Sequence, residues 1–134
     1  FRLDLRGLEF ALFQGWRQGM SSISSIGSVQ LSFAARQLDA VREFYRGTLG
    51  LDEMPVPEGR LLFALGDATL SLSPVAEVSR ELRADYLAIR TRAYDDILLR
   101  LRDARFHPVC SLPDASPRVM YVKDPSGNQL AFLG

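Results

Sequence analysis

YVKDPSGNQLAFLG, residues 121–134, reads as two short strands joined by a turn. Pro125 holds φ near about −65°, and Gly127 tolerates φ values closed to most residues, so Asp124-Pro125-Ser126-Gly127-Asn128 suits a tight strand connection. The flanks alternate with period two. Residues 119–123 precede the turn and residues 129–133 follow it, with Leu130 and Phe132 on one side of the last strand and Gln129 and Ala131 on the other. Working back toward the N-terminus, residues 109–112 form another strand. Before it, Tyr94, Ile97, Leu98 and Leu101 share one helical stripe, and residues 86–91 read as a strand.

The same order stands in the first half of the chain. Residues 29–35 alternate as a strand, then Leu38, Val41, Tyr45 and Leu49 recur at helical spacing up to Gly50, a helix-ending residue. Leu61 to Leu65 is a strand, Gly66-Asp67 a tight turn, and residues 68–73 a strand that Pro74 is expected to end. Two β-α-β-β-β modules, residues 28–74 and 84–134, therefore follow an N-terminal extension and linker at residues 1–27. The expected fold class is α+β: one curved, mostly antiparallel sheet with a concave groove, and helices on its convex side.

Alternation also separates two chemistries. Leu31, Phe33, Leu70, Leu72, Leu87, Ile89, Leu130 and Phe132 fall on the side that helices should cover. The other side carries Gln30, Ser32, Thr69, Ser71, Ser73, Tyr86, Ala88, Arg90, Gln129 and Ala131. Small and polar neighbours do not fill a core at native density, so this side is either a partly solvated ligand groove or an ordinary solvent-facing sheet surface. Tyr121 fits either side of its strand.

Composition narrows the function classes. The 134 residues are 47% hydrophobic and 24% charged, enough for one domain that buries roughly 65–70% of its unfolded surface. Sixteen basic and sixteen acidic residues cancel, so neither nucleic acid nor a membrane surface is an expected partner. A single Cys (Cys110) and a single His (His107) cannot build a Cys/His zinc site or an internal disulfide, and a reducing cytoplasm is the expected location. His107 reads as a loop residue. Cys110 has no electropositive setting to make it a nucleophile, and Asp95 and Asp96 suit the first turn of the second helix. A chain opening on Phe1 is expected to be processed or truncated, with Met20 as an alternative start.

QLDAVREFYRGTLGLDEM (residues 37–54) and YVKDPSGNQLAFLG together resemble the signatures of the vicinal oxygen chelate superfamily, which includes glyoxalase I, extradiol dioxygenases and bleomycin-resistance proteins. The resemblance covers about residues 28 to 134. It implies a metal site at four strand positions, which fall here on Gln30, Ser71, Tyr86 and Ala131 in place of the usual His, Gln or Glu. Only Gln30 is a plausible ligand, so no metal and no other cofactor is expected; a divalent metal is the alternative. The resemblance then points to the metal-free, bleomycin-resistance-like members, which sequester a bulky compound. An aromatic or amphipathic small molecule would contact Gln30, Ser32, Ser71, Ser73, Tyr86, Arg90, Tyr121 and Ala131, in a chain expected to be a homodimer. The alternative is a divergent glyoxalase-type lyase, isomerase or dioxygenase.

Overall fold

The structure is a computed structural model that describes residues 24, 26–57, 59–77 and 85–134. The N-terminal extension expected at residues 1–27 and the linker between the modules lie largely outside the described residues. Module one opens with strand β1 (Ser28–Ala34), passes through a 3-10 turn (Ala35–Gln37), helix α1 (Leu38–Arg42) and a π-helical turn (Glu43–Thr48), and ends with the hairpin β2 (Leu61–Leu65) and β3 (Ala68–Val75). Module two repeats the plan with β4 (Leu87–Arg90), α2 (Tyr94–Asp103), β5 (Val109–Cys110), β6 (Val119–Lys123) and β7 (Gln129–Leu133). The strand equivalent to β5 survives in module one as a single bridge, Glu53 to Phe63.

Each module forms its own mixed sheet, ordered β1-β3-β2 and β4-β7-β6-β5. The opening strand of each pairs in parallel with the last, as a helical crossover requires, and the remaining pairs are antiparallel. The α+β architecture is as expected from sequence, with three of the five strand pairs among the described residues antiparallel, and the strands divide into one sheet per module. Pro74 does not end β3, which runs on to Val75 beside β1. β2 reaches only as far as Leu72, so Pro74 has a strand neighbour on one side alone and its missing N–H leaves no central ladder incomplete.

The helix-facing side of both sheets is one core. Phe33, Leu61, Phe63, Leu70 and Leu72 of module one join Met120, Leu130 and Phe132 of module two under Val41, Phe44, Tyr45, Ile97 and Leu101. The π-turn matters here because its extra residue per turn accompanies the inward placement of both Phe44 and Tyr45. The Leu49 amide donates to the Phe44 carbonyl at 2.9 Å, five residues back. Phe44 then meets Phe106 of module two edge-on, with centroids 4.9 Å apart. Among the described residues, no helix is long and apolar enough to cross a membrane.

A buried polar clasp ties the modules together. Gly127, at φ 87°, closes the turn from Asp124 to Asn128. The Asp124 carboxylate accepts from the Ser126 amide (2.8 Å), the Asn128 amide (2.9 Å) and the Asn128 side chain (2.9 Å). A fourth donor, the Tyr45 hydroxyl of module one, arrives at 2.6 Å. Around it, Gln37 donates to the Pro125 carbonyl, Ser126 Oγ accepts from the Ala34 amide, and Asn128 donates to the Ser32 carbonyl. Burial, the Asp124 charge and the hydrogen bond to Asp124 together hold the Tyr45 hydroxyl far above the usual phenol range. The turn that looked like a strand connection is thus also the joint between modules.

Candidate ligand groove

Residues directly opposite one another on neighbouring strands share a face, so register places the site. Across β1 and β3, Gln30 stands opposite Ser71 and Ser32 opposite Ser73, and Leu62 of β2 extends the Ser71 row. In module two, Ala88, Ala131 and Tyr121 form one row that ends at Val109. Tyr86 lies just ahead of β4, and its ring meets that of Tyr121 edge-on, with centroids 5.6 Å apart at 87°. Tyr121 therefore faces the same side as Tyr86, which settles its orientation. Both rings are accessible, at 52% and 45% exposure.

The remaining expected site residues divide by depth. Gln30 and Arg90 are exposed, Ser32 and Ser73 half-buried, and Ser71 buried; Ala131 has no exposure at all. Ser71 and Ala131 are floor rather than solvated wall. The modules also differ in register: Gln30 stands directly opposite Ser71, whereas the partner of Ala131 is Ala88, not Tyr86.

Two hollows open beside the tyrosine pair. One, of about 400 Å³, is lined by Phe106, His107, Val109, Tyr121, Lys123 and Gln129 among others. The second, of about 170 Å³, lies between β1 and β4, where Val29 and Leu31 face Tyr86, Leu87 and Asp85, and it too includes Gln129. His107, expected as a plain loop residue, thus borders the groove, as do Gln129, expected on this face, and Lys123, which sequence reasoning passed over. Alternation along β6 carried the signal for Lys123, two residues beyond Tyr121. Arg60 was also missed: its Nη2 donates to Ser73 Oγ at 3.1 Å, at the lead-in to β2.

Arg90 stands apart from the tyrosines. It lines a different cavity, of about 330 Å³, on the seam between modules with Leu49, Leu65, Ile97, Arg100 and Phe132. A more open hollow of about 860 Å³ lies beside α1 and the loop before β2. There Glu53 already holds Arg42 at 3.0 Å and Arg46 at 3.6 Å.

No family model matches the chain, and no curated protein sequence does. Solved structures do. A glyoxalase family protein from Bacillus anthracis aligns with a TM-score of 0.71 at 23% identity, over 82% of this chain and 93% of its own. The chain has the vicinal oxygen chelate fold. The fosfomycin resistance protein FosX from Listeria monocytogenes aligns at 0.69 and 12% identity, over 83% and 90% of the two chains. A lactoylglutathione lyase from Agrobacterium tumefaciens aligns at 0.62 and 21%, over 82% and 92%.

The metal implied by the vicinal oxygen chelate fold can be tested against the residues present. Ala131 offers no donor atom, and Ser71 and Tyr86 offer only hydroxyl oxygens in place of imidazole or carboxylate. Among the described residues, no three His, Cys, Asp or Glu side chains come together as metal ligands. Transition metals of the zinc, iron or nickel kind need three or four donors, some of them anionic or imidazole, and this set does not supply them. The residues do not fit the group.

Proposed function

We propose that this protein binds a small organic molecule carrying an aromatic group, in the groove beside Tyr86 and Tyr121, without using a transition metal. The observation that carries the reading is the pairing of an accessible edge-to-face tyrosine pair with a donor-free floor at Ala131. A half-open hollow of about 400 Å³ lies within the range of small-molecule sites, and aromatic side chains supply stacking area at little entropic cost. Sequestration, as in bleomycin-resistance proteins, is the activity that such a site supports. The proposed working unit is a homodimer; the exposed apolar side chains Val109 (70%) and Leu112 (74%) on and after β5 support it.

The test is calorimetric titration of the full chain with a panel of fused-ring and single-ring aromatic compounds, run with and without a chelator, beside elemental analysis. Saturable binding indifferent to the chelator is expected. A stoichiometric transition metal, or glyoxalase or ring-cleavage turnover that the chelator abolishes, would replace this reading with an enzymatic one. Sedimentation should give twice the 15.0 kDa chain mass; a monomer at micromolar concentration refutes the dimer alone.

A further inference from the structure

Among the described residues, the seven strands contain only two charged residues, Arg90 and Lys123, and both are basic. Lys123 lines the hollow beside Tyr121, whereas Arg90 lines the separate cavity on the seam. Lys123 stands opposite Gln129 and two residues beyond Tyr121, while Arg90 stands two residues beyond Ala88. Arg60, immediately ahead of β2, adds a further cation through its bond to Ser73.

Among the described residues, neither Lys123 nor Arg60 has a carboxylate within ion-pair distance, whereas Arg36, Arg42, Arg46, Arg100 and Arg118 all do. Arg90, Arg92, Arg102 and Arg105 also lack such a partner, but of the unpaired cations Lys123 is the one that lines the hollow with Tyr121. The hydrogen bond from Asn128 to the Ser32 carbonyl brings β1 beside the start of β7, where Gln129 stands opposite Lys123. Asp85 is the acidic residue lining these hollows, and it sits on the β4 side, in the smaller one. The hollow that holds Tyr121 is lined instead by Lys123 and His107.

Resting on the binding reading above, we infer that the groove's ligand is an organic anion: an aromatic ring seated against Tyr86 and Tyr121, with a carboxylate or comparable acidic group met by Lys123. A fixed ammonium beside an aromatic wall selects by charge as well as by shape, since a neutral isostere leaves the cation without its partner. The groove face should therefore reject cationic aromatics.

Three compounds of nearly one shape test this: 1-naphthoate, 1-naphthamide and 1-naphthylmethylammonium, titrated into the full chain at low salt. Naphthoate should bind about tenfold more tightly than naphthamide, and the ammonium compound most weakly. Raising the salt to about 0.5 M should shrink the naphthoate preference severalfold, because the site is open to solvent. Lys123→Gln should bring the naphthoate-to-naphthamide ratio close to one, with the melting temperature holding within about 1 °C because the side chain is exposed. Equal affinity for acid and amide, or a preference for the ammonium compound, overturns the inference while leaving the binding reading intact. Failure of all three to bind removes the binding reading and this inference with it.

Discussion

Replacing Tyr45 with Phe tests the clasp between modules. The ring is fully buried, and its hydroxyl is one of four donors to the Asp124 carboxylate, at 2.6 Å. Phe keeps the packing against Phe63 and Phe44 but leaves a buried carboxylate oxygen one donor short. A hydrogen bond to a charged group contributes about 1.5–3 kcal/mol, so a loss near 2 kcal/mol is expected at pH 7. For a domain of this size that lowers the melting temperature by roughly 6–10 °C. Urea unfolding followed by circular dichroism should show a lower midpoint and an unchanged m-value.

The difference between the two proteins should also depend on pH. The folded-state pKa of Tyr45 is raised, so its stabilising effect is complete below the unfolded phenol pKa of about 10 and declines as pH rises beyond it. The wild-type advantage over Tyr45→Phe should shrink above pH 10 by up to about 1.4 kcal/mol per pH unit, because only the wild type must protonate this phenol to fold. A difference under about 0.5 kcal/mol at pH 7, or one that stays constant from pH 8 to 11, would refute the account of the clasp.

Other substitutions probe the groove and the seam. Ala131→Glu restores the residue type that the fold's metal site uses but buries it without a partner, so a loss of about 3–5 kcal/mol is expected. The defect should ease as pH falls, since burial raises the new carboxyl's pKa, and urea midpoints at pH 5 and pH 7 check this. Elemental analysis of the same variant should find no metal, because Ser71 and Tyr86 remain poor donors. Tyr121→Ala should weaken aromatic ligands about three- to tenfold by calorimetry without lowering the melting temperature appreciably, in keeping with the worth of one aromatic pair. Gly50→Ala should cost about 1–2 kcal/mol in urea unfolding: φ is 74°, and a Cβ would sit 2.7 Å from Arg100 Nη1, a flexible end that can swing aside.

The elements were legible because periodicity is a local property. Val41, Ile97 and Leu101 sit buried where the helical spacing put them, and Leu130 and Phe132 face the core as alternation required. What sequence could not supply was relation between distant segments. The role of Asp124 depends on Tyr45, far away in the chain, and nothing near Asp124 announces that partner. The π-turn was equally hidden, since Phe44 and Tyr45 side by side look like one inward and one outward residue of an ordinary helix. At the groove, Gln30, Ser71 and Ser73 could be placed on one face from alternation. Arg60 and His107 could not, because they lie outside regular alternation and reach the site through strand pairing and loop course.

The two sheets meet edge to edge at β1 and β4, and among the described residues every ladder hydrogen bond stays inside one module. Rotating one module against the other therefore stretches no ladder. What holds the modules to each other is the shared apolar core, with Phe44 against Phe106, and the hydrogen bonds around the Asp124 turn. The Asp124 knot fixes one point of the seam, while the cavity of about 330 Å³ near Gly50 leaves another loosely filled. The joint between modules thus rests on packed side chains and one buried turn, not on a continuous sheet.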